Sequence, residues 1–315
     1  AVHHGSATLV RMPLKGTSPS ALRVLGGPID QFSFDETPDG TLNVLVQSAF
    51  VGDAMWSAEQ DVGESLALLS IPVRSFGDGS TSAPASTYRP LPSPTEDGSI
   101  HNRFVGNYLL YGTGEGWSEE DTVSSKVFAV SVNGGAAREF ALPHGVDRIE
   151  PLGRHALVVG EGGDDLHFTG IRLSRKPALA QRHVMKNAAQ GELRSHGFFY
   201  RADGRGGGVL GLPVNNPAAP GYEHLFEESA GVAFLRRTSQ SFQDLGQLAA
   251  NGTGAVDDAC ESSCVDWYGN SRPIFIEDRI FALLGYELVE GRTRGGSIRE
   301  VRRVNFAPRM VTAAR

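Results

Sequence analysis

One pattern recurs along this chain: a short strand, a tight polar turn, then a strongly apolar strand ending in glycine. Arg103-Phe-Val-Gly-Asn-Tyr-Leu-Leu-Tyr-Gly112 lies over Glu150-Pro-Leu-Gly-Arg-His-Ala-Leu-Val-Val-Gly160 with one residue of slack, and both lie over Ile274-Phe-Ile-Glu-Asp-Arg-Ile-Phe-Ala-Leu-Leu-Gly285. Two looser copies exist. Gln31-Phe-Ser-Phe-Asp-Glu-Thr-Pro-Asp-Gly40 leads into Thr41-Leu-Asn-Val-Leu-Val46, and His196-Gly-Phe-Phe-Tyr-Arg-Ala-Asp-Gly-Arg-Gly-Gly-Gly208 leads into Val209-Leu-Gly-Leu-Pro-Val214. Aligning Phe34, Val105, Leu152, Phe199 and Ile276 gives intervals of 71, 47, 47 and 77 residues. A third strand follows each hairpin and a weaker fourth follows most. Four strands per roughly 40–50 residues is the pitch of a β-propeller blade.

Composition agrees with many short strands. The 39 glycines and 17 prolines in 315 residues exceed average usage of about 12% and form no collagen period, so they belong to turns. Helical periodicity is hard to find. A β-sandwich is the architectural alternative, but it carries no fixed period. Continuous apolar runs such as Val158-Val159 and Leu283-Leu284 suit strands covered on both faces by neighbouring blades. The expectation is an all-β chain: one propeller domain over residues 1–315, about five blades visible, with insertions at 74–99 and 246–270. Thr8–Leu14 and Ala21–Leu25 read as third and fourth strands with no hairpin ahead of them. They either complete the last blade or mark this chain as the carboxy-terminal part of a larger propeller, and the second is favoured. In that case Leu283, Leu284 and Val289 are expected on an exposed apolar face.

At this point the residues resemble a known family. Pro28-Ile-Asp-Gln-Phe-Ser-Phe-Asp-Glu36 with Gly40-Thr-Leu-Asn-Val-Leu-Val46 is similar to the Asn-Gln-Phe-Ser-Met-Asp-Glu block of the secreted β-propeller domain proteins of bacteria and archaea, which are distantly similar to WD40 propellers. Ser195-His-Gly-Phe-Phe-Tyr200 with Leu210-Gly-Leu-Pro-Val214 resembles that family's Asp-His-Lys-Ala-Phe-Leu-Tyr and Leu-Pro-Val blocks, and Arg272-Pro-Ile-Phe-Ile-Glu-Asp-Arg-Ile-Phe281 resembles its Arg-Ser-Leu-Tyr-Ile-Gly-Asp-Leu-Tyr hairpin. The sequence departs from the family at Asp30, where the block has Asn, and at Ser195-His196-Gly197, where it has Asp-His-Lys. The resemblance implies a propeller and export to the cell envelope, and no established reaction.

Chemistry is sparse. The net charge of −7 gives no general attraction to nucleic acid, and no 18-residue apolar run is present that could span a membrane as a helix. No nucleophile-elbow, zincin, P-loop or kinase signature occurs. The only cysteines, Cys260 and Cys264, are spaced to close a local disulfide if the segment turns; two free thiols, or a metal or redox site, are the alternatives. A disulfide would suit an exported protein. Asp35, Glu36 and Asp39, and separately Glu161, Asp164 and Asp165, are oxygen-rich enough to consider calcium, against the ordinary reading of solvated acidic turns.

The repeat itself supplies one constellation. First strands of propeller blades line the central channel. Four residues ahead of the aligned position stand Asp30, His101, Arg148, Ser195 and Arg272; two ahead, on the same face, stand Arg103 and Glu150, and His196 follows Ser195. A polar channel mouth is therefore expected. The leading functional expectation is an exported, non-enzymatic scaffold that binds a protein or glycan. The alternative is a channel-mouth enzyme, a metal-assisted hydrolase or lyase, which requires His101, His196, Asp35 and Glu36 to converge.

Overall fold

The structure is a computed structural model describing residues 6–16, 18–48, 65–94, 99–114, 125–217, 228–239, 241–250, 271–285 and 287–306. Among them every extended element belongs to a β-sheet, and the helical elements are three single 3-10 turns. Six sheets follow in chain order, named A to F here, and the architecture is that of a β-propeller whose blades, apart from the three-stranded sheet A, are four-stranded and antiparallel. Cys260 and Cys264 lie outside the described residues.

The chain divides into two compact units, residues 1–149 with 173–177, and residues 150–172 with 178–315. In the first unit, sheet A pairs Ser6–Arg11 with Ser20–Leu25 as an antiparallel hairpin. Asp78–Ser82, from the 74–99 segment, joins its other edge in parallel, a strand that the turn-rich composition of that segment does not betray. Sheet B is Thr41–Gln47, Leu66–Pro72 and Tyr88–Leu91 behind a divided first strand, Gly27–Pro28 and Phe34–Glu36. Sheet C is the simple meander Ile100–Val105, Tyr108–Thr113, Ser125–Ser131 and Arg138–Leu142. Leu45 packs towards sheet C with Leu109 and Tyr111, while Val44 and Val46, on the other face, pack towards sheet A with Leu9, Leu22 and Val24. The period of two thus explains the apolar run: alternate residues serve two cores.

In the second unit, sheet D is Arg148–Leu152 (its first two residues counted with the first unit), His155–Gly162, Asp165–Arg172 and Ala178–Met185. Sheet E is Gly208–Pro217, Glu228–Arg237 and Phe242–Ala249 behind a divided first strand, Ala189–Gln190 and Phe199–Ala202. Sheet F is Arg272–Ile276, Arg279–Leu284, Glu287–Arg294 and Ser297–Asn305. Leu210, Leu212 and Val214 share a core with Leu157, Val159 and Phe168 of sheet D. Val232, Phe234 and Leu248 share another with Ile280, Ala282, Leu284 and Val289 of sheet F. Leu284 and Val289 are therefore buried, contrary to the expectation of an exposed face there: Leu283 and Leu284 are neighbours in one strand and must point opposite ways.

The three tight hairpins turn where the repeat places them. Gly106, Gly153 and Glu277 each occupy the first turn position with φ of 57°, 65° and 53°. Glycine adopts this left-handed region freely, whereas a side chain there costs about 1 kcal/mol or more. Glu277 is held by Arg201, whose Nη1 donates to its carbonyl oxygen at 2.7 Å from the adjacent first strand. Glu277→Gly is expected to stabilise the protein by about 1 kcal/mol, read as a higher urea midpoint, because it keeps this main-chain acceptor and removes the strain. A lower midpoint would show that the Glu277 side chain has a stabilising role outweighing the backbone cost.

Candidate functional site

The two loose copies of the repeat owe their looseness to excursions of the first strand. In sheet B, residues 29–33 leave the sheet between Pro28, opposite Val46, and Phe34, opposite Val44. In sheet E, residues 191–198 leave it between Gln190, opposite Val214, and Phe199, opposite Gly211. Asp30 and Ser195 accordingly sit on excursions and not on strands, unlike His101, Arg148 and Arg272. Each excursion closes on a carboxylate.

Asp30 Oδ1 accepts from the Phe32 main-chain N–H at 2.7 Å, from Ser33 Oγ at 3.3 Å and from Asn102 Nδ2 of sheet C at 3.0 Å. Ser33 Oγ in turn accepts from the N–H groups of Ile29 and Asp30, both at 3.1 Å. Arg103 lies 3.9 Å over the Phe32 ring. Burial raises the Asp30 carboxyl above its ordinary range; the bonds from Phe32, Asn102 and Ser33 and the nearby Arg103 oppose that rise without cancelling it. Asn102 Oδ1 is buried and finds no partner among the described residues.

His101, two residues before Arg103, is pushed down to about 4, by burial first and then by the Arg148 guanidinium. Arg148 and Glu150 are both buried on the first strand of sheet D. The second excursion is knotted by Glu192, which takes Arg194 Nε at 2.8 Å, Arg194 Nη2 at 2.7 Å and the Arg194 N–H at 2.8 Å. His196 Nε2 stands 3.3 Å from the same carboxylate, while Ser195 is exposed beside it. Burial acts to raise the Glu192 carboxyl, but Arg194 and His196 together hold it below its usual range. Gly197 packs so close that any Cβ would come within 2.8 Å of the Glu192 carbonyl oxygen.

Glu192 is the residue that sequence reasoning missed. Its Glu-x-Arg-x-His spacing was visible, but nothing in the repeat set it apart. The acidic turns are likewise engaged locally. Asp35 accepts from Asn43, Glu36 pairs with Arg11 at 3.0 Å, and Asp39 accepts from Thr37 and Thr41. Glu161 accepts from the Gln190 N–H and Asp165 pairs with Lys186 at 2.5 Å, whereas Asp164 contributes its main-chain carbonyl, which accepts from the Ala188 N–H. Among the described residues no three His, Cys, Asp or Glu side chains gather as a metal would require.

The aligned repeat position also divides the sheets. Val105 and Leu152 are buried, whereas Phe34, Phe199 and Ile276 are 41, 44 and 54 % exposed, and Leu193 on the second excursion is 67 % exposed.

No protein-family model matches the chain, and neither does any curated protein. Solved structures do resemble it at low identity. One described as the "AfRom2 CNH domain" is 10% identical, with a TM-score of 0.39, covering 93% of this chain and 76% of that one. The β-propeller domain of the Trilobed protease from Pyrococcus furiosus, described as having an open velcro topology, is 8% identical, with a TM-score of 0.37, covering 90% of this chain and 99% of that one. A functionally unknown protein from Desulfotomaculum acetoxidans is 11% identical, with a TM-score of 0.38, covering 91% of this chain and 76% of that one.

Two titrations follow. The His101 ring is expected to titrate near 4 by NMR. The unfolded chain takes up a proton that the fold excludes, so stability falls as pH drops from about 6.5 towards 4, and His101→Gln should flatten that slope. Asp30 has the opposite sign: its raised carboxyl favours the protonated form, so ionisation at neutral pH weakens the fold. Asp30→Asn keeps the Oδ1 acceptor and is expected to raise the urea midpoint at pH 7, with the gain vanishing as pH falls and Asp30 itself protonates.

Proposed function

We propose that this chain is the propeller of an exported, non-enzymatic protein that binds a protein or glycan at the cell surface. The observation carrying this reading is the pair of first-strand excursions at residues 29–33 and 191–198, each braced by a carboxylate knot, with exposed apolar side chains Phe34, Leu193 and Phe199 on or beside them. A side chain meant for acid–base chemistry is left accessible to substrate; Asp30 and Glu192 are instead occupied by donors of their own excursions. Braced loops with exposed apolar tips are what rigid scaffolds present to partners. Export rests on the resemblance of the Pro28–Glu36 and Ser195–Tyr200 blocks to the secreted propeller family, and on the Cys260–Cys264 spacing.

The test is retention of the purified chain on the source organism's envelope fraction. Saturable binding is expected, insensitive to chelators. Leu193→Ser with Phe199→Ser should weaken it about tenfold or more, since each exposed apolar side chain that a partner covers contributes about 1 kcal/mol or more. Absence of retention, combined with chelator-sensitive turnover of ester, phosphoester or uronide substrates, would replace this reading with a metal-assisted hydrolase or lyase.

A further inference from the structure

Away from the excursions, at the Asp203–Gly208 turn of sheet E, a groove of about 300 Å³ is lined by Asp203, Arg205, Arg236, Arg237, Thr238 and Ser239. Its floor is unusual. Arg237 is only 6 % exposed, yet its guanidinium donates from Nη1 to the Gly206 carbonyl oxygen at 3.0 Å, and among the described residues no carboxylate pairs with it. Arg303, by contrast, is likewise largely buried and is met by both Glu287 and Glu300. A guanidinium withdrawn from water without a counter-ion is costly, and a protein normally supplies one.

The acidic side chain of the groove is turned to other donors. Asp203 is committed to the N–H groups of Arg205 and Gly207, at 2.7 and 2.9 Å. Arg237, Arg154 and Arg172 together bear on His155, whose imidazole is lowered by burial first and then by these three cations. Positive charge is therefore concentrated at this end of the unit, in a chain whose net charge is −7. The glycines let the groove form: a Cβ on Gly207 would fall 2.7 Å from the Arg237 carbonyl oxygen and 2.8 Å from Asp203 Oδ2. Thr238 and Ser239 form the rim, the Thr238 hydroxyl being held by Ser241.

We propose that this groove binds a tetrahedral oxyanion, a phosphate or sulfate group, with Arg237 as its principal ligand and Arg205 and Arg236 closing over it. The planar fork of arginine suits such groups, and a bound anion supplies the counter-charge that no carboxylate among the described residues gives Arg237. The site is independent of the excursions and of the partner proposed above.

Inorganic phosphate, inorganic sulfate, glucose 6-phosphate and acetate are titrated into the intact chain at constant ionic strength. Thermal unfolding and the His155 ring signals are followed by calorimetry and NMR. Phosphate and sulfate are expected to raise Tm by roughly 4 °C at a hundredfold excess over Kd and to shift His155, with acetate much weaker. A stronger response to glucose 6-phosphate marks an esterified ligand, and a response to the free ions alone marks a free-ion site; either supports the proposal. Arg237→Gln should weaken binding at least tenfold. If that variant fails to fold, Arg205→Gln with Arg236→Gln carries the test, expected to weaken binding severalfold. Equal anion responses in these variants and the parent, or responses no larger than acetate's, would overturn the site.

Discussion

Two-faced burial of the second strand is the constraint on which the rest of the molecule depends. In sheet B, Val44 and Val46 close one core while Leu45 closes the next; in sheet E, Leu210, Leu212 and Val214 face sheet D while Gly211 lies against Pro273 of sheet F. Each such side chain contributes about 1.5–3 kcal/mol by leaving water, and a strand with no solvent face has no polar alternative. A single sheet of this kind could not persist alone. Its neighbours are a condition of its existence, which is why the sequence repeats.

The same constraint fixes where variation is tolerated. Outer strands and first strands have a face or an end to spare, and the structure uses them. The first strands of sheets B and E open into excursions, and in both a carboxylate gathers the excursion's own N–H groups, while Ser33 and Gly191 keep main-chain bonds to the second strands. Asp30 then reaches Asn102 in the next sheet, so one polar knot also links two blades. At the far end of sheet E, the glycines at 206–208 allow a closer turn, and Arg237, bonded to the Gly206 carbonyl oxygen, lines a groove.

These differences explain what the sequence could reveal. The hairpins at Gly106, Gly153 and Asp278 were legible because turn chemistry and apolar alternation are both local. Sheets C and D follow from them almost residue for residue; in sheet F, Ser297–Asn305, which reads as a third strand, is the fourth, because Glu287–Arg294 comes between it and the hairpin. The parallel strand Asp78–Ser82 was not legible, since its polar residues carry no periodicity and its partner, Ser20–Leu25, is distant in sequence. First-strand polar residues were found by position alone, and position does not tell a strand residue from one on an excursion: Asp30 and Ser195 shared a register with His101 and Arg148 but not a conformation. Glu192 escaped because its role depends on Arg194 and His196 folding back on it. Arg237 escaped because one arginine among many shows its isolation only once the carboxylates around it are placed.

Native-state amide hydrogen exchange, resolved by strand, bears most directly on the two-faced burial of the second strands. The slowest amides should lie in Thr41–Gln47, Tyr108–Thr113, His155–Gly162, Gly208–Pro217 and Arg279–Leu284, with the outer strands Arg138–Leu142, Ala178–Met185 and Ser297–Asn305 exchanging markedly faster. Equal protection of outer and second strands, or slow exchange confined to a single sheet, would contradict the account that burial between neighbouring blades holds the fold together.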